Sequence, residues 1–301
     1  MLISIVNHAA SKLSDEAVQE GVRAVNRQIA HDFKPHWHIE AELRLEGAIG
    51  NDPDKAKLPE LRGDAIIYLW DDVDVEDAIG YHEAHASGVP FGFVFTELAK
   101  ELGEAWTVTL SHEALELLAD PEANLLVAGP HPSDPKQEVF HWYEMCDAVQ
   151  NEKYKVDGIW VSNFLLPLYF TSSAEEGSRN DFLGRVSKGK TLSSFGINPG
   201  GYIGFYNPSS QQHETFALKA DKRAQQRLKI KSKAQLTRRS MRYKSGLAYR
   251  DRVELALSSL RSGEPQKRRK AARVAAPESR KAQPRAVEMI DQAPKRRGLG
   301  D

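Results

Sequence analysis

The first 216 residues of the sequence predict an α+β domain, and residues 217–301 predict a basic C-terminal appendage. Apolar runs of strand length alternate with helical patterns through the first two thirds of the chain. Apolar residues make up 41% of the sequence, which is enough for a sizeable core. Residues 217–301 hold 25 Lys and Arg against 8 Asp and Glu, which leaves 16 basic and 34 acidic residues in 1–216. These opposite net charges indicate two physically different segments.

Hydrophobic periodicity predicts the first strands and the first helix. Residues 2–6 form a short apolar run that predicts a strand, and residues 65–70 form a run that predicts a buried strand. A helical pattern opens at Ser14, because the apolar residues after it recur at three- and four-residue spacing. Residues 37–45 alternate between apolar and polar side chains, which predicts a half-buried strand.

The next segments predict one more buried strand and a second long helix. Residues 91–95 are apolar and predict a strand. Ser111 is a good N-cap for a helix that ends near Asp120, because a proline follows Asp120 and disfavours helical backbone before it. Residues 123–135 are predicted to be mostly loop, and residues 202–206 to form a final strand.

The C-terminal third is predicted to divide into a basic helical segment, 217–262, and a disordered basic tail, 263–301. The tail is rich in Pro, Ala, Lys and Arg, and such a composition cannot bury enough apolar surface to fold alone. Clusters such as residues 267–270 bind phosphate backbones without sequence choice, so nucleic acid is one possible partner. An acidic partner, docking on the acidic domain, and a solvated tail without a partner are the alternatives.

Cysteine content and the N-terminus bear on the compartment. Cys146 is the only cysteine in the sequence, so no intrachain disulfide is possible, which fits a reducing compartment. The N-terminal apolar run lacks a basic start and is too short for a signal peptide or a membrane span. The sequence therefore predicts a protein without a membrane partner that is cytoplasmic, or else is released without a Sec signal.

The second helix carries the strongest chemical signal, in the order Ser-His-Glu-x-x-Glu. His112 and Glu116 are four residues apart and project from one helix face, so an imidazole nitrogen and a carboxylate oxygen can reach one cation. Glu113 is about 100° further round the helix and can reach a metal-bound water instead. The bland interpretation is an ordinary amphipathic helix with an acidic, solvated face.

A second acidic element follows the helix, and together the two elements resemble a known family. Residues 111–121 and 144–147 resemble the Ser-His-Glu-x-x-Glu helix, ending in Asp-Pro, and the later Glu-x-Cys-Asp element of zincin-like metallopeptidases. The resemblance spans about residues 65–206. It implies a zincin-like α+β fold with a mixed, twisted sheet, in which an edge strand near 88–95 lies beside the metal-binding helix and receives a peptide by β-addition.

The resemblance also implies the roles of individual residues. It implies that His112, Glu116 and Glu144 bind the metal. It implies that Glu113 is the general base. Asp147 and Asp120 are alternatives for the third ligand, and Asp120 could instead orient a ligand. The implied activity is a zinc-dependent hydrolase with one Zn²⁺, acting on a peptide or protein substrate.

One departure from the commonest zincin pattern weakens the expected chemistry. Glu116 stands where a second neutral imidazole is usual, so the ligand set is more anionic. An anionic set lowers the pull of the metal on its bound water and makes Mn²⁺ and Ca²⁺ harder to exclude. The alternative function is therefore a non-catalytic binding or structural protein with the same fold, whose basic tail contacts nucleic acid or an acidic partner.

Two further residue types near these motifs have open interpretations. His82 and His85 precede the predicted strand at 91–95 and either line the cleft or lie on the surface. Cys146 lies among acidic residues, which disfavours a thiolate nucleophile and favours a buried structural thiol.

Overall fold

The computed structural model describes residues 1–9, 12–48, 63–71, 80–84, 90–171, 178–186, 189–218, 222, 225 and 226. Both the predicted basic helical segment, 217–262, and the predicted disordered tail, 263–301, lie almost wholly outside these residues. So does His85.

The larger sheet has five strands and is mixed, which confirms the predicted α+β class. Its strands are β1 (Leu2–Asn7), β2 (Glu42–Ala48), β3 (Ala65–Trp70), β4 (Gly80–Ala84) and β5 (Pro90–Phe95). The order is β2-β1-β3-β5-β4, with β4 antiparallel to β5 and all other neighbours parallel. The predicted strands at 2–6, 65–70 and 91–95 are confirmed, because continuous apolar runs suit strands covered on both faces.

The edge of this sheet differs from the prediction. The strand predicted to lie at the edge, near 88–95, is β5, which pairs with β3 on one side and β4 on the other. Every residue of β5 is buried, and its three phenylalanines need cover on both faces. The edge position therefore falls to β4, which pairs with β5 from Gly80 opposite Val94 to Ala84 opposite Pro90.

Helix α1 (Asp15–Gln28) connects β1 to β2 and covers one face of the sheet. Ser14 caps it by accepting the backbone N–H of Ala17, and acidic residues occupy its first turn. Its buried stripe packs on the core: Val18, Gly21, Val22, Ala24, Val25 and Gln28. A π-helical turn (Ile29–Phe33) and α2 (Lys34–Trp37) continue the helix.

The predicted strand at 37–45 is wrong in its first half. Trp37 ends α2, His38 adopts a left-handed conformation, and strand β2 begins only at Glu42. Trp37 is partly buried because its ring stacks on Phe33 and its indole N–H donates to the carbonyl of Leu165. The alternation that suggested a strand therefore reflects packing of a helix end.

The helix with the chemical motif, α4 (Trp106–Ala119), follows a short helix, α3 (Thr96–Glu101). It begins five residues before the predicted N-cap, Ser111, and Ala105 at the true N-cap offers no side-chain hydrogen bond. Every residue from 107 to 118 is buried, because α4 packs against β4, β5, α1, α3 and the hairpin strand β9 (Ile159–Ser162). The predicted end near Asp120 is confirmed.

A second, antiparallel sheet lies after α4. Its strands are β6 (Leu126–His131), β7 (Asp134–Trp142), β10 (Tyr202–Asn207) and β11 (Gln212–Ala217), in the order β11-β10-β7-β6. Strand β8 (Lys153–Val156) pairs with β9, and 3₁₀ turns occupy Asp147–Val149 and Pro167–Phe170. The loop predicted at 123–135 is wrong. Residues 126–128 of β6 are apolar, but Gly129 and Pro130 follow them and are typical of a turn. The strand predicted at 202–206 is confirmed.

Within the residues described above, no helix combines the length and the apolar character that crossing a membrane requires.

Candidate metal centre

Helix α4 presents His112 and Glu116 on one face, as their spacing predicts. Both are buried, with 3% and 2% of their surface exposed, and His112 Nε2 lies 3.2 Å from Glu116 Oε1. A charged carboxylate at this depth needs a compensating group, because burial removes its hydration. The imidazole supplies part of that compensation.

The turn after β7 brings a second set of donors to the same face. Asp147, at the start of the 3₁₀ turn, places Oδ1 3.2 Å from His112 Nε2. The backbone N–H of Cys146 donates to Glu116 Oε1 at 3.1 Å, and Cys146 Sγ lies 3.9 Å from the carbonyl oxygen of His112. The side chain of Asp147 also accepts a hydrogen bond from the hydroxyl of Tyr202, which comes from β10.

The edge strand β4 closes the other side of the cluster. His82 is 7% exposed, and its Nδ1 lies 3.6 Å from Glu113 Oε2 and 3.7 Å from Glu116 Oε2. A β-carbon at Gly80 would lie only 2.7 Å from Glu113 Oε1, so the missing side chain gives that carboxylate its space. The carboxylate of Glu113 therefore lies between α4 and the backbone of the edge strand β4.

Two groups of side chains in the described chain bring three donor atoms within 4.8 Å of one another. One contains His112, Glu116 and Cys146, and the other contains His82, Glu116 and Glu144. All of these residues are buried, and Glu116 belongs to both groups. Glu144 and Asp147 also line a small cleft together with His141 and Tyr169.

A buried hydrogen-bond chain fixes the orientation of α4. Ser111 donates to Gln28 Oε1 at 2.6 Å and accepts the backbone N–H of Ser162 at 3.1 Å. Gln28 in turn donates to the carbonyl oxygen of Ser162 at 2.8 Å. Because this chain ties α4 to both α1 and β9, the helix cannot rotate without leaving buried polar groups unpaired.

Neighbouring groups lower the pKa of Glu116, against the effect of its burial. Burial alone would raise the pKa of Glu116, but the charge and hydrogen bond of His112, the charge of His82 and the N–H of Cys146 outweigh it and lower that pKa to about 2. The ionised form of Glu116 is therefore favoured despite its burial.

On the elements next to α4, the pKa values of the side chains in the cluster are raised. Burial and the nearby charge of Glu116 raise the pKa of Asp147, although His112 opposes the shift. Burial and Glu116 likewise raise the pKa of the Cys146 thiol well above its usual value. Burial and the charge of Asp147 raise the pKa of Tyr202. Negative charge is crowded here, and a cation would relieve it.

The donor set fits a divalent cation. Imidazole, carboxylate and thiolate are the ligands that Zn²⁺ takes in proteins, at about 2.0–2.3 Å, so two donors on one tetrahedral ion lie about 3.3–3.8 Å apart. The distances of 3.2 Å from His112 Nε2 to Glu116 Oε1 and to Asp147 Oδ1 are close to that separation. His82 Nε2 adds a buried nitrogen without a hydrogen-bond partner among the described residues.

The structure brings most of the predicted site residues together. His112, Glu113 and Glu116 are all buried on α4. Glu144 forms a group with Glu116 and His82, and among the described residues it does not form one with His112. The other candidate third ligands differ. Asp147 lies against His112, whereas Asp120 accepts the backbone N–H of Leu125 and holds the chain as it leaves α4.

Sequence reasoning gave His82 and Cys146 too little weight. His82 lies two residues after Gly80 on β4, and residues at that spacing share one face of a strand, so the alternation of β4 carried the signal once its edge position was known. Cys146 lies between two acidic candidates, and its placement beside His112 depends on a contact between α4 and the turn after β7. No local pattern could have revealed that contact.

Comparisons with known proteins add little to this geometry. No family model matches the chain, and no curated protein matches it. Among solved structures, one match is described as the structure of a chaperone–substrate complex, with 16% sequence identity and a TM-score of 0.26. The match covers 44% of this chain and 29% of that chain. A similarity of this size carries no argument about fold or function.

Proposed function

We propose that the chain is a zinc-dependent hydrolase that acts on peptide bonds, on a zincin-like fold. One observation carries the proposal: a buried imidazole and two buried carboxylates on α4 lie directly beside the edge strand of a mixed sheet. Buried, mutually close donors of this kind are expected at functional sites, because they are expensive to maintain without a cation.

His112 and Glu116 would hold the ion, with a third donor from Asp147, Cys146 or Glu144. The 3.2 Å contacts favour Asp147 on the side of His112, and the prediction of Glu144 is supported by its place near Glu116. When bound, Zn²⁺ supplies a polarised substrate carbonyl and a water of lowered pKa.

Glu113 is suited to proton transfer in this arrangement. Its carboxylate projects towards β4, where Gly80 leaves it room, and lies 3.6 Å from His82 at the nearest nitrogen. At that position it can accept a proton from the attacking water and return it to the leaving amine nitrogen.

Strand β4 is suited to hold the substrate backbone. Its pairing with β5 uses one edge, and no other described strand pairs with the opposite edge. An extended peptide that added to this edge would run past Gly80 and His82, close to Glu113. The proposal therefore joins binding and chemistry on adjacent elements.

A comparison of two variants tests the proposal. Mass spectrometry measures the rate at which the protein hydrolyses a mixed pool of peptides. In Glu113→Gln we expect this rate to fall by about 10²–10⁴-fold while zinc stays bound. In His112→Ala we expect both activity and zinc to be lost. Glu101→Gln, an exposed change at the end of α3, is the matched control. Full activity in Glu113→Gln would remove that residue from the mechanism.

A second candidate function is favoured by the charge of the donor set. Glu116 and Asp147 both bring a negative charge, which reduces the pull of a cation on water. A non-catalytic binding or structural protein would keep the same metal centre without turnover. Stoichiometric zinc in the parent protein with no cleavage of any peptide in the pool would select this alternative.

A further inference from the structure

The two oxygens of the Glu116 carboxylate face different neighbours. Oε1 lies 3.2 Å from His112 Nε2 and accepts the backbone N–H of Cys146, whereas Oε2 lies 3.7 Å from His82 Nδ1. The two groups of donor atoms share Glu116 and no other residue. A carboxylate placed in this way can give one oxygen to each of two cations.

The group that contains His82 has the composition of a cation site of its own. One imidazole and two carboxylates, from Glu116 and Glu144, place their donor atoms within 4.8 Å of one another. His82 is 93% buried, since only 7% of its surface is exposed, and its Nε2 has no hydrogen-bond partner in the described part of the chain. Buried polar atoms are rarely left unpaired, so this nitrogen points to a missing ligand.

Charge in the cluster favours two cations over one. Four carboxylates lie in it with at most 6% of their surface exposed: Glu113, Glu116, Glu144 and Asp147. The ion-pair partners that the structure gives Glu113 and Glu116 are imidazoles. Two divalent ions would offset more of the negative charge of this cluster than one ion would.

We propose that the centre has a second cation subsite, formed by His82, Glu144 and Oε2 of Glu116, and that Glu116 bridges two divalent ions. The subsite rests on the proposed function only in that the first ion lies at His112. Two-metal centres hold their ions about 3.5–4 Å apart, a separation that one bridging carboxylate spans. One nitrogen and several carboxylate oxygens suit Zn²⁺ or Mn²⁺.

The number of ions bound per chain tests the subsite. Full-length protein is stripped of metal, saturated with Mn²⁺ or with Zn²⁺, and freed of excess metal, and the metal is counted by mass spectrometry. We expect two ions per chain in the parent and in Glu101→Gln, and one in His82→Ala and in Glu144→Gln. The Glu144→Gln change keeps the side-chain size, so it answers the concern that His82→Ala unfolds the protein.

A spectroscopic measurement distinguishes a bridged pair from two separate sites. With two equivalents of Mn²⁺, we expect electron paramagnetic resonance of the parent to show exchange-coupled manganese. We expect His82→Ala to show only uncoupled manganese. Two ions that show no coupling would contradict the bridge.

The subsite and the proposed hydrolase can fail independently. One ion per parent chain that His82→Ala leaves unchanged would overturn the subsite, and so would one ion that His82→Ala removes. The first result leaves hydrolysis at His112 intact as a hypothesis, whereas the second would also place the only ion away from His112. Two coupled ions without peptide cleavage would uphold the subsite and contradict the hydrolase.

Discussion

The hydroxyl of Ser111 ties helix α4 to two distant parts of the chain, Gln28 in α1 and Ser162 in β9. A serine before an apolar helical run is a good N-cap, yet α4 begins at Trp106 and Ser111 lies inside it. Its hydroxyl instead connects Gln28 and Ser162, both fully buried. The partners of this hydroxyl could not be predicted from the local sequence, because they lie 83 and 51 residues away along the chain.

Removal of this hydroxyl should destabilise the fold. We expect Ser111→Ala to lower the free energy of unfolding by about 1–3 kcal/mol, because Gln28 Oε1 and the N–H of Ser162 lose a buried partner. Urea denaturation measures the change, and Ser209→Ala, an exposed serine, is the control. A loss no larger than that of the control would show that water replaces the hydroxyl.

His8 gives the fold a pH dependence that is separate from the metal centre. Its ring lies 4.4 Å from that of Trp70, centroid to centroid, and burial lowers its pKa to about 4, against a small opposing effect of Asp71. Because the unfolded chain has a His pKa near 6.5, the unfolded state binds the proton first as the pH falls. Stability is therefore full above about pH 6.5 and decreases towards pH 4.

The change His8→Phe should remove this pH dependence and retain the ring contact. As the pH falls from 7 to 4, we expect the parent to lose up to about 3 kcal/mol more unfolding free energy than His8→Phe does. His31→Phe, at an exposed histidine, should show no such trend. Parallel curves for His8→Phe and the parent would contradict a lowered pKa for His8.

The elements differ in how far local sequence determines them. Strands β1, β3 and β5 were predictable, because each is a continuous apolar run that is buried on both faces. Strand β6 was not, because Gly129 and Pro130 follow its short apolar run and indicate a turn. Pairing with β7 extends the strand through both residues. Helix α4 is buried all round, so it has little amphipathic periodicity, and its start was predicted five residues too late.

Close packing of α1 on α4 predicts that a larger side chain at Gly21 destabilises the protein. A β-carbon at Gly21 would lie 2.5 Å from the ring of Trp106, the first residue of α4. Although alanine favours a helix over glycine by about 1 kcal/mol, we expect Gly21→Ala to destabilise the protein by about 1–3 kcal/mol in thermal or urea unfolding. Arg23→Ala, an exposed change on the same helix, should be nearly neutral. A stabilised Gly21→Ala variant would show that the two helices separate easily.

At the scale of the whole molecule, the candidate centre joins parts of the chain that are distant in sequence. His82 comes from the sheet edge, His112 and Glu116 from α4, and Asp147 from the turn that follows the second sheet's strand β7. The helix donors were predictable from their spacing, whereas the choice among Glu144, Asp147 and Cys146 depends on how the turn packs on the helix. A cation at this junction would tie the two sheets together.

Metal binding should therefore stabilise the whole fold. A ligand that binds only the folded state adds about 2.7 kcal/mol when its concentration is 100 times its Kd, so we expect Zn²⁺ to raise the Tm of metal-stripped protein and a chelator to reverse the change. His112→Ala should lose most of the shift, and the exposed His31→Ala should keep it. An equal shift in His112→Ala would place the stabilising ion elsewhere.

The most direct test of a metal centre on α4 is an anomalous difference map from a crystal of the zinc-loaded protein, measured across the zinc absorption edge. We expect a peak about 2.0–2.2 Å from the side-chain donors of His112 and Glu116. Well-ordered side chains of these two residues with no peak between them, or a peak bound only by other residues, would contradict the account.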